Sequence, residues 1–179
     1  MSIDRPNRSG CPDDSLPSFE RPPVIETVLG VQFEPLSAFT NGHLGAFWKR
    51  LGRDWVHLSD AAAIEPQFEH FGVGQSWGGI RLSLAPPGVR LRLMNRAKDR
   101  MIQVQNGRLH YNWIGHGKDY PRYRLIRPEF DKTFQAFEDF VSEEALGEVL
   151  PNQWEVTYVN RIPSGTLWSA PADWGTRVI

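Results

Sequence analysis

Between Val24 and Phe33 the chain reads VIETVLGVQF, a run rich in β-branched residues and closed off by Pro22-Pro23 and Pro35. That pattern predicts a strand. The period then changes. In TNGHLGAFWKRLG, Leu44, Phe47, Trp48 and Leu51 recur at helical spacing, with Thr40 or Asn41 placed to cap the start and Gly52 the end. Residues 53–78 carry no clear period, and GVGQSWGG near their end marks a bend or loop.

From residue 80 to 115 a period of two takes over. Asn106-Gly107 between alternating residues signals a two-residue hairpin. It sets Val104 opposite Leu109, Gln103 opposite His110 and Ile102 opposite Tyr111. A four-residue turn RAKD sets Leu93 opposite Ile102, Arg92 opposite Gln103 and Leu91 opposite Val104. A further turn APPG sets Leu82 opposite Leu91 and Arg81 opposite Arg92. These three registers agree, and a slip by one residue would exchange the faces. One face carries Ile80, Leu82, Leu91, Leu93, Ile102, Val104, Leu109 and Tyr111. The other carries Arg81, Ser83, Arg90, Arg92, Gln103, Gln105, Arg108 and His110.

A second helix follows in RPEFDKTFQAFEDFVSEEALG. Phe130, Phe134, Phe137 and Val141 line one side, Pro128 suits its first turn and Gly147 its end. A last strand is expected over residues 153–162. The sum is an α+β domain, a largely antiparallel sheet in β-α-β-β-β-β-α-β order with both helices packed on its apolar face. Residues 1–18, rich in Pro, Ser, Asp and Gly, read as a disordered tail. The domain then occupies residues 19–165, and residues 166–179 are an irregular tail or the start of a missing segment.

Charge sharpens the picture. Residues 81–127 hold eleven Lys/Arg against Asp99 and Asp119, whereas residues 128–155 hold eight Asp/Glu against Lys132. An arginine-rich sheet face suits bidentate contact with carboxylates or phosphates. Arg81, Arg90, Arg92, Gln103, Gln105, Arg108 and His110 are therefore the candidate anion- or partner-binding residues. Self-association is expected as readily as a separate protein partner, because the acidic second helix of one copy can meet the basic face of another. Nucleic acid is the alternative partner, although the polar rows hold no aromatic platform for stacking bases. Glu26, in the first strand, calls for a partner, and Arg161 is the candidate for a structural ion pair.

The ordered motifs PPVIETVLGVQFEP, YPRYRLIRPEF and VTYVNRIPSG, spread from Pro22 to Gly165, resemble a sporadically distributed family of uncharacterised bacterial proteins. That family's late strand typically carries an Arg before the Tyr, as in RYIN; here Thr157 stands in that place. Its members usually run on through a further strand-rich segment, so the resemblance implies a truncated member. It implies no activity, cofactor or catalytic residue.

Catalytic motifs fail on inspection. GHGKDY lacks the first Gly of a phosphate loop and the Ser or Thr after its Lys, and GVGQSW precedes no helix. The five histidines lack metal-ligand spacing, and Cys11 is the one cysteine. No nucleophile elbow is present. Neither a cofactor nor a metal is expected; no motif supports an enzyme, and an enzyme with a pocket site that no linear motif reveals is the further alternative. No run approaches the roughly 18 apolar residues of a membrane span. The lone cysteine leaves no internal disulfide, which points to the cytoplasm. The expected function is non-catalytic binding through the basic sheet face.

Overall fold

The computed structural model describes residues 19–68, 88–117, 120–165 and 168–173. Among these residues six strands and two α-helices follow one another as β1 (Val24–Phe33), α1 (Asn41–Leu51), β2 (Trp55–Ala62), β3 (Val89–Asn95), β4 (Arg100–Gln105), β5 (Arg108–Ile114), α2 (Tyr123–Glu143) and β6 (Pro151–Asn160). The strands form one antiparallel sheet in the order β2-β3-β4-β5-β1-β6. The fold is α+β, with the expected order of elements.

The two hairpins carry the registers that their turns dictate. Gln103 faces His110, Val104 faces Leu109, and Arg92 faces Gln103. On its other side β3 meets β2, with Ser59 opposite Arg92 and Ala61 opposite Arg90. The strand expected at 80–84 lies outside the described residues, and its proposed place beside β3 belongs to β2. Residues 55–62 hide their strand character because only one side of this edge strand is half-buried. A half-solvated strand gives a weak hydrophobic signal.

Both helices pack on the apolar face, where Leu29, Val31, Phe33, Leu93, Ile102, Val104 and Leu109 are buried. Phe137 is the centre of this core. Its ring lies 5.4 Å from Phe33 and 5.2 Å, edge-on, from Phe47. The α2 boundaries differ from expectation. The helix starts at Tyr123, so Pro128 sits inside it rather than in its first turn. It stops at Glu143, before Gly147. Ala145 takes a left-handed φ of 53°, its N–H donates to Ser142 O, and the Leu146 N–H donates to Val141 O. This is the Schellman pattern, with Ala where Gly is the usual choice. Burial of Leu146 against the core holds it in place.

Candidate functional site

The second face of the sheet is built by alternation. Glu26, Gly30 and Gln32 on β1 share it with Arg108, His110 and Asn112 on β5, Gln103 and Gln105 on β4, Arg90 and Arg92 on β3, and Glu155 on β6. Of the expected candidates, Gln103, Gln105, Arg108 and His110 are buried, and Arg90 and Arg92 are half-buried. Arg81 lies outside the described residues. The centre of this face is therefore an enclosed polar layer. Only its β3 end keeps arginine side chains accessible.

Two glutamines enclose it. The Gln105 side-chain amide accepts from Ile64 N–H at 2.8 Å and donates to Ile64 O at 2.9 Å. Gln32 accepts from Gln67 N–H at 2.9 Å and donates to Gln67 O at 3.1 Å. Each amide thus replaces one rung of a backbone ladder and straps residues 64–67 across the face. Arg108 lies beneath the strap. It donates to Gln32 Oε1 and to Glu65 O, and it lies 3.5 Å from Glu155 Oε2. A buried guanidinium is tolerated when it is paired and hydrogen-bonded in this way. A cleft of about 290 Å³ opens between the strap and the β4–β5 turn, lined in part by Phe33, Ile64, Pro66, Phe68 and Asn106.

His110 reaches Glu155 by crossing β1 at Gly30, which stands opposite both residues in the register. Its Nε2 lies 3.3 Å from Glu155 Oε2. The His110 imidazole beside it draws the Glu155 carboxyl down against the effect of burial, and with Thr157 and Arg108 brings its pKa to about 2. On the same face Asn112 accepts from Gln103 at 3.0 Å and donates to Glu26 at 2.7 Å. The expected Glu26–Arg161 ion pair is not formed. Arg161 lies exposed beyond β6, its N–H bonded to Pro23 O, while Asn112 from the adjacent strand supplies the Glu26 contact.

The positive charge that remains is at the β3 end. The Arg92 Nε donates to Ser59 Oγ at 2.9 Å. Arg90 has its Nε enclosed with no hydrogen-bond partner. Burial lowers the Arg90 pKa, and the neighbouring Arg92 and Arg108 lower it further. Three acidic residues of α2 are paired within the chain, Glu129 with Arg100 at 2.5 Å, Asp131 with Arg127 at 2.6 Å and Glu143 with Arg50. Tyr111 also donates to Glu129, at 2.7 Å, so this carboxylate ties α2 to β4 and β5.

Gln32, Asn112, Glu155 and the 64–67 strap were absent from the sequence expectation. Alternation along β1 and β6 puts Gln32 with Glu26 and Glu155 with Thr157, but nothing local places either strand beside β5. Among the described residues no three or more His, Cys, Asp or Glu side chains converge as a metal site. No helix among them is long and apolar enough to cross a membrane. Comparison with protein-family models, with curated proteins and with solved structures finds no match, so the family resemblance rests on the ordered motifs alone.

Proposed function

We propose that this chain is a non-catalytic protein-interaction domain whose β3 arginines receive a carboxylate or phosphate group of a partner. The half-buried side chains of Arg90 and Arg92, which share one face of β3 near Arg108, carry this reading. Like charges this close disfavour one another, and a partner oxyanion accepting from the outer guanidinium N–H groups of Arg90 and Arg92 would offset that repulsion. A nucleic-acid strand lying along the whole face is disfavoured. It would need Arg108 and His110 in contact with phosphates, and both are buried. The cytoplasmic setting suggested by the lone cysteine belongs to the same proposal.

The test is fluorescence anisotropy with a labelled acidic peptide and with labelled single- and double-stranded DNA, each at low and physiological salt. Arg90→Gln/Arg92→Gln is the comparison, its fold checked by circular dichroism. Charge-assisted hydrogen bonds of ~1.5–3 kcal/mol each predict roughly a tenfold or greater loss of peptide affinity in the variant. No binding of any anion by the wild type at low salt would end this reading. Binding of DNA alone, lost in the variant, would replace the protein partner with nucleic acid.

A further inference from the structure

β6 closes one end of the sheet, and among the described residues no strand pairs with its outer edge. Among the described residues its ladder pairing is with β1, in a register that runs unbroken from Glu26–Val159 to Gln32–Gln153 and shifts only at its two ends. Natural edge strands are usually blunted by lysine, proline, a bulge or an unpaired charge. The opposite edge is treated in this way. β2 carries a register shift between His57 and Ser59 and an exposed His57–Asp60 pair. β6 has no Lys or Arg among its ten residues, and its only proline opens it. Its one charged side chain, Glu155, is held from within by His110 and Arg108.

The side chains on this edge are both apolar and ordered. Trp154, Val156 and Tyr158 stand on the helix side of the strand and are 54%, 50% and 44% exposed. Trp154 is set edge-on to Phe134 at 5.6 Å and to Phe130 at 6.2 Å. Tyr158 is set edge-on to Tyr120 at 6.1 Å. Aromatic groups already fixed in place lose little further entropy when a partner covers them.

We propose that β6 pairs with β6 of a second copy, antiparallel about a two-fold axis at Val156, to make one continuous twelve-stranded sheet. The register follows from the side chains. Centred on Val156, Trp154 of each copy meets Tyr158 of the other and Glu155 meets Thr157. Aromatic cross-strand pairs are favourable, and Thr157 Oγ1 already donates to Glu155 Oε1 within one chain at 3.1 Å. Centred on Glu155 instead, two carboxylates would oppose each other directly. Centred on Thr157, Trp154 would meet Asn160. A two-fold axis normal to the sheet also keeps the helices of both copies on one side, so the exposed aromatic row becomes continuous across the junction. The interface is isologous and closed, so it yields a dimer and not a fibre.

Light scattering coupled to size exclusion, over a concentration series, is expected to give twice the 20.4 kDa chain mass. Val156→Lys, which sets two cations against each other at the axis, is expected to give the monomer with an unchanged circular dichroism spectrum. A second variant does not depend on that substitution being tolerated. In a Cys11→Ser background, Val156→Cys should be joined into covalent dimers by a short bis-maleimide, and Val56→Cys on the β2 edge should not. A wild-type monomer at every concentration would overturn the proposal. So would a dimer that survives Val156→Lys, or one in which Val56→Cys cross-links and Val156→Cys does not.

Discussion

One methyl group added at Gly30 should destabilise the protein, although the position is an ordinary extended site where alanine usually helps. A Cβ built there would lie 2.4 Å from His110 Cδ2, 2.9 Å from its Nε2 and 3.3 Å from Glu155 Cβ. The imidazole cannot simply swing away, because His110 is only 3% exposed. Alanine in place of glycine stabilises by about 0.4–1 kcal/mol through the unfolded chain. Overpacking of a filled site costs about 1–3 kcal/mol. The displaced ring also gives up its contact with Glu155. The expected net effect of Gly30→Ala is therefore a loss of about 1–2 kcal/mol. Urea denaturation would show a lower midpoint with an unchanged slope. His110→Ala removes the obstructing ring, so adding Gly30→Ala to that variant should cost nothing or even stabilise. The cycle should return a coupling of roughly 1–2 kcal/mol. A Gly30→Ala protein as stable as the wild type would refute the placement of His110 across β1, and with it the account of how Glu155 is held.

Three further outcomes are expected. The Glu155 carboxyl sits at about 2 in the folded chain against an ordinary 4.5, so the stability it contributes is complete above about 4.5 and is lost as pH falls toward 2; urea midpoints of the wild type and Glu155→Gln measured between pH 6 and pH 2 (about the range of the titration) should converge on acidification, and parallel curves would contradict the pairing. Ala145→Gly should stabilise by roughly 0.5–1 kcal/mol, because glycine adopts the φ of 53° without steric cost, and a fall in thermal midpoint would argue against the left-handed turn after α2. Phe137→Ala should cost about 3–5 kcal/mol and leave the chain close to its unfolding threshold, as judged by near-ultraviolet dichroism and urea titration, since the ring it removes joins Phe33 on the sheet to Phe47 on α1.

Much of the fold could be read along the chain, wherever the information is local. The Asn106-Gly107 turn sets β4 against β5, and every pair it implies is present. The RAKD turn sets β3 against β4, with Leu91–Val104, Arg92–Gln103 and Leu93–Ile102 paired as it implies. The phenylalanine spacing finds α2, although its first turn, from Tyr123, escapes because Arg124, Leu125 and Arg127 are exposed and carry no apolar period. The division of the sheet into an apolar and a polar face follows from alternation alone.

Which strands lie side by side across long separations is another matter. Only the tertiary structure sets β2 beside β3, inserts β1 between β5 and β6, and, among the described residues, leaves the outer edge of β6 unpaired. Those choices decide the fate of the basic face. Arg108 acquires Gln32 from 76 residues away and Glu155 from 47 residues away. Gln105 acquires a backbone strap from 41 residues away. Alternation assigns a side chain to a face but does not say what covers that face, because burial depends on which distant segments the shared core brings together. The sequence by itself determined the rows of arginine, glutamine and histidine. The strand order decided that most of them would be enclosed, and that Arg90 and Arg92 would remain at the rim.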